Sequence, residues 1–127
     1  KDGEYLNSWD WVNRPDDLFL DEQENLYIAE LGWNIPFPHR PEFRLMDHPP
    51  MGHAPIARVT ICDLDGNIQT QLGGADSLLP GNFIVPHGIW ADSRGDFYVG
   101  EVIKASGSID HFAPLTCHAF QKFIRAG

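Results

Sequence analysis

The segment Pro15–Leu31, PDDLFLDEQENLYIAEL, recurs without a gap 71 residues later as Pro86–Val102, PHGIWADSRGDFYVGEV. Pro15/Pro86, Asp21/Asp92, Tyr27/Tyr98 and Glu30/Glu101 are identical, and Leu18/Ile89, Phe19/Trp90, Leu26/Phe97 and Ile28/Val99 keep their apolar character. An unbroken register of this kind marks a chain built from copies of one supersecondary unit, whose apolar faces are buried by stacking the copies. A single β-sandwich has no need of such self-similarity.

Each copy has the form of a hairpin. An apolar strand (Asp17 to Leu20; Gly88 to Ala91) leads into a polar five-residue turn and a second strand (Leu26 to Ala29; Phe97 to Gly100). The turns DEQEN and DSRGD carry the Asp, Asn and Gly that tight backbone geometry accepts. Beyond the first hairpin, and after a long loop, come Ala57 to Asp63, the turn Leu64 to Asn67 and Ile68 to Leu72, giving four antiparallel strands in a row. Asp2 to Trp9 (DGEYLNSW) mimics Asp65 to Leu72, and Phe120 to Arg125 mimics Arg58 to Asp63, so the pattern is mid-repeat at both ends and a longer parent is expected. Ten Pro and twelve Gly suit short strands joined by turns. The fold class expected is all-β, a β-propeller fragment of about two and a half four-stranded antiparallel blades. Residues 1–13 end a preceding blade, 14–73 form a complete blade carrying the insertion 33–56, and 82–127 form a final partial blade. Trp90 is expected to pack between neighbouring blades.

The pattern P-x-G-I-x-x-D-x-x-G-D-x-Y-V in Pro86 to Val99, with a strand ending in D-x-D-G at Asp63 to Gly66, resembles the NHL repeat of six-bladed propellers. The resemblance covers the chain apart from Trp33 to Ile56. The first copy departs from it at Asp17 and Glu24, where Gly88 and Gly95 stand in the second. In NHL repeats an acidic residue at the position of Glu30 and Glu101 ties the blade backbone together, and the resemblance implies that role here. Pro86–Gly88 (PHG) also resembles the Pro-His segment of peptidylglycine-amidating lyases, in which histidines of different blades hold zinc. The first copy has Asp16 at that place, so a three-histidine site cannot be completed from this chain.

Antiparallel order sets a polarity. The residues before each first strand and the loop between second and third strands share one end, and the hairpin turns lie at the other. The shared end collects Asp16 and His87 at matching repeat positions, Glu30 and Glu101, and the insertion that begins at Trp33. These five are the candidate binding residues, at the mouth of a propeller channel where concave sites form. His87 is also the candidate metal ligand, for zinc or calcium, because a neutral imidazole binds divalent ions or moves a proton near neutral pH. Its plainer role is a cap at the strand start. Glu101 is the carboxylate expected to orient His87.

The insertion Trp33–Ile56 has six Pro and three His (His39, His48, His53), whose spacings of nine and five form no zinc signature. At 24 residues it exceeds an ordinary connection and fits a rim loop, with Trp33, Phe37 and Phe43 available to line an aromatic site or to pin the loop to the sheet. His111, His118 and Cys117 lie in the corresponding second loop without a surrounding nucleophile motif.

A net charge of −9, from nine Lys and Arg against eighteen Asp and Glu, argues against nucleic acid as a partner. No apolar run approaches the roughly 18 residues of a membrane span. Cys62 and Cys117 form no CxxC pair and leave compartment and disulfide state open. Two functions follow: a scaffold binding a small molecule, peptide or protein at the channel mouth, or a metal-dependent lyase or lactone hydrolase of the amidating-lyase or gluconolactonase-like type.

Overall fold

The computed structural model describes residues 3–32, 56–102 and 118–125. Among them the chain is all-β: β1 (Pro15–Leu20), β2 (Leu26–Glu30), β3 (Arg58–Cys62), β4 (Ile68–Leu72), β5 (Pro86–Ala91), β6 (Phe97–Glu101) and β7 (Phe120–Phe123). They form two antiparallel sheets, ordered β1-β2-β3-β4 and β5-β6-β7. Every neighbour in a sheet is also the next strand in sequence, the outcome of short polar turns between apolar runs. The strands fall on the segments expected of the repeat, with one correction. Asp2 to Trp9 mimics a fourth strand, yet residues 3–13 contain none; instead the Trp9 indole lies against Gly66 in the β3–β4 turn, where a Cβ would come within 2.7 Å of the ring.

The three turns share one construction. Asp21 Oδ1 accepts the backbone N–H of Gln23 and Asn25, Asp63 Oδ1 those of Asp65 and Asn67, and Asp92 Oδ1 those of Arg94 and Asp96. The fourth residue of each turn is left-handed: Glu24 at φ 63°, Gly66 at 83° and Gly95 at 82°. The departure from the repeat at Glu24 therefore changes the residue and not the backbone, at the steric cost that glycine avoids.

The core lies between the sheets, where β1 and β2 pack on β5. Strand alternation sends Tyr27, Ala29 and Val59 to one side of the seam and Ile89, Ala91, Phe97 and Val99 to the other, with Phe83 buried beside them. Phe97 sits at the centre, stacked on Phe123 with centroids 4.6 Å apart and tilted against Tyr27 at 5.6 Å. Asp17 crosses the seam, its Oδ2 accepting the N–H of Ile89 at 3.0 Å, which gives the second departure from the repeat a packing reason. Trp90 meets Phe19 edge-on at the seam's margin but is half exposed, so Phe97 and Tyr27, rather than Trp90, anchor the packing.

Candidate functional site

Two bulges build the site. In the first sheet Pro15 pairs with Glu30 and Asp17 with Ala29, leaving Asp16 as the extra residue; in the second, Pro86 pairs with Glu101 and Gly88 with Gly100, leaving His87. A bulge breaks the inward–outward alternation and re-aims one side chain. Because the same irregularity occurs at the same repeat position in adjacent sheets, the two side chains meet, with His87 Nε2 3.2 Å from Asp16 Oδ2. The imidazole is largely exposed and the carboxylate a quarter exposed. The contact is a hydrogen bond when the imidazole is neutral with Nε2 protonated, and an ion pair when it is charged.

Arg14 stands next to this pair. Partial burial lowers its pKa from the ordinary value and the Asp16 charge opposes the shift, while its Nη1 donates to the Gly32 carbonyl at 2.8 Å. Gly32 has φ 65°, and a Cβ there would come within 2.5 Å of the Ile56 carbonyl carbon. The two ends of the insertion are thus pinched together at the Asp16 end of the sheet, and only glycine fits the pinch.

Glu30 and Glu101 lie below the bulges, with their side chains sealed from solvent. Glu30 accepts from the Asn13 N–H, from Arg58 Nε and Nη2 at 2.9 and 3.0 Å, and from the Thr60 hydroxyl. Glu101 accepts the N–H groups of Ile84 and Val85 at 2.6 and 3.0 Å and stands 3.3 Å from both Gln121 Nε2 and His118 Nε2. Asn13 and Ile84 hold matching repeat positions. Each glutamate therefore ties the segment that enters a sheet to the second strand of that sheet, which positions the bulge above it.

One expected pairing is corrected. His87 is oriented by Asp16, while Glu101 takes His118, whose Nε2 also lies 3.0 Å from the Asn82 carbonyl. His118 was legible only as a loop histidine, because its partner is 17 residues away in sequence and is reached through β6–β7 pairing. Trp33, Phe37, Phe43, His39, His48, His53, His111 and Cys117 lie outside the described residues. Cys62 is buried, and burial, followed by the Asp63 and Glu30 charges, raises its thiol pKa, which marks it as an unreactive core residue.

Asp16 and His87 offer two donors, and among the described residues no three His, Cys, Asp or Glu side chains converge as a metal site would require. The described residues thus do not make up a site for zinc or calcium. Two cavities lined by described residues, of about 390 and 240 Å³, lie at the opposite, hairpin-turn end, the larger between Asn25, Gln69, Thr70 and Arg125 and the smaller between the Asp21 and Asp92 turns. Neither includes a bulge residue. Among the described residues no helix is long and apolar enough to cross a membrane. Comparison with family models, curated proteins and solved structures finds no match to this chain.

Proposed function

We propose that this chain is a segment of an NHL-type β-propeller and that Asp16 and His87 form part of a ligand-binding site at the mouth of its channel. The observation that carries the reading is the pair of bulges: the same backbone irregularity in two adjacent sheets turns out a carboxylate and an imidazole that touch. Bulges concentrate beside functional sites, where they re-aim side chains. In a propeller the first strand of each blade lies nearest the axis, which puts both residues on the channel wall. The glutamates beneath support this reading, since they satisfy the backbone entering each first strand without using the exposed pair.

A carboxylate beside an imidazole supplies both an acceptor and a donor. The ligand class that fits is a small polar molecule or a peptide carrying a hydroxyl, amine or amide, approaching from the side left open by the loops. The acidic balance of the chain disfavours polyanions.

Imidazole-resolved nitrogen–proton NMR tests the reading. His87 is followed while short peptides with free and amidated termini, small sugar lactones, and zinc and calcium chlorides are added in turn. Saturable movement of the His87 signals by at least one organic probe, lost in Asp16→Ala, is expected. Indifference of His87 to every probe would overturn the site. If instead an ion alone moves it, and elemental mass spectrometry finds near one equivalent of metal that His87→Ala loses, a metal-dependent enzyme replaces the binding scaffold.

A further inference from the structure

The seam between the two sheets joins one type of face to another. On the first sheet it uses Phe19 and Tyr27; on the second it uses Ile89, Ala91, Phe97 and Val99. The repeat gives each sheet both faces. The partners of Phe19 and Tyr27 in the second copy are Trp90 and Tyr98, and those of Ile89 and Ala91 in the first are Leu18 and Leu20. The copies not used at the seam are exposed: Trp90 52% and Phe120 67% on the outer side of the second sheet, Leu18 61% and Leu20 47% on the outer side of the first. The molecule thus ends in one aromatic face and one aliphatic face, the same two kinds that already fit each other inside it. Apolar surface grouped in this way is the mark of an interaction site.

We propose that a second copy of this chain covers these faces, the Trp90–Tyr98–Phe120 face of one copy packing on the Leu18–Leu20 face of the next. Continuity with the internal seam is one argument and charge is another. The internal seam is flanked by the contact of Asp16 with His87, and the same docking brings His87 of one copy to Asp16 of the next, so the order of carboxylate and imidazole alternates along the assembly. The contact joins unlike surfaces, so it is heterologous and propagates head to tail until a ring closes. The inference rests on the seam and the repeat, not on ligand binding at the bulges, and its readout is mass rather than His87 chemistry.

Sedimentation velocity on the full chain provides the test, with two variants that each block one face, Leu18→Glu and Trp90→Glu, and Phe120→Glu as a second block of the aromatic face. Wild type is expected at multiples of its 14.3 kDa, each variant alone at lower mass, and an equimolar mixture of Leu18→Glu with Trp90→Glu as a dimer that grows no further, because one intact face of each kind remains. All four substituted or paired positions are exposed enough for far-UV circular dichroism to verify the fold first. A monomeric wild type at tens of micromolar overturns the inference. So does an assembly that survives all three variants, or a mixture that stays monomeric while the wild type associates.

Discussion

Glu30 and Asp16 are carboxylates two strands' breadth from one another in role: one is sealed under the sheet and the other faces out at the bulge. Glu30→Ala strands the Arg58 guanidinium, the Thr60 hydroxyl and the Asn13 N–H in a nearly dry environment. Removing one partner of such a buried pair costs about 3–5 kcal/mol. Asp16→Ala removes a partly exposed contact of the kind worth about 0–1 kcal/mol. Urea denaturation of the two variants should separate them by that difference; equal losses would mean that Asp16 is as structural as Glu30. The glutamates' backbone-tying role was legible from the repeat, because identical residues at identical positions satisfy identical N–H groups. The Asp16–His87 contact was not. Sequence alignment places the two residues at one repeat position, but a bulge is a property of pairing, and only the register with Glu30 and Glu101 reveals which residue is extruded.

The hairpin turn is the element that the sequence declares most openly, since an aspartate followed by a left-handed fourth residue occurs three times. Glu24 is the one non-glycine at that fourth position, and its side chain stands exposed. Glu24→Gly should raise stability by about 0.5–1 kcal/mol by relieving the left-handed conformation. Gly95→Ala should lower it, because the strain returns and the new Cβ meets the Arg125 side chain at 2.8 Å. Thermal melts of both check the sign. The turns also respond to acid. Hydrogen bonds from Asn67 to Asp63, from Arg94 to Asp92 and from Lys122 to Asp96 hold these carboxyls below the usual carboxylate range. A lowered folded-state pKa stabilises the ionised form, so the contribution is complete above an ordinary pKa of about 3.9 and disappears as pH falls through the lowered values. Stability measured from neutral pH downward should therefore hold to about pH 4 and then drop. Asp63→Ala and Asp92→Ala should each flatten that drop, and an unchanged acid limb in both would remove these turns as its source.

Across the whole molecule, the two sheets depend on one shared core rather than on two separate ones. Tyr27, Ala29 and Val59 of the first sheet and Phe83, Ile89, Phe97 and Val99 of the second form a single buried cluster. Alternation made the apolar faces readable in sequence, but not which of them would be covered, and this is why the expected anchor Trp90 lies half exposed while Phe97 is enclosed. Phe97 touches Phe123 within its own sheet and Tyr27 across the seam, so Phe97→Ala removes contacts from both sheets at once. A cost of about 3–5 kcal/mol is expected for an aromatic truncated in such a core, against a smaller one for Trp90→Ala, which gives up surface already half in water. The consequence for cooperativity follows. If the seam is the core, tryptophan fluorescence and far-UV circular dichroism must report a single coincident unfolding transition in the wild type, and in Phe97→Ala both must shift together by the same denaturant concentration. Two separated transitions would show the sheets folding independently, with the seam as a mere contact between them.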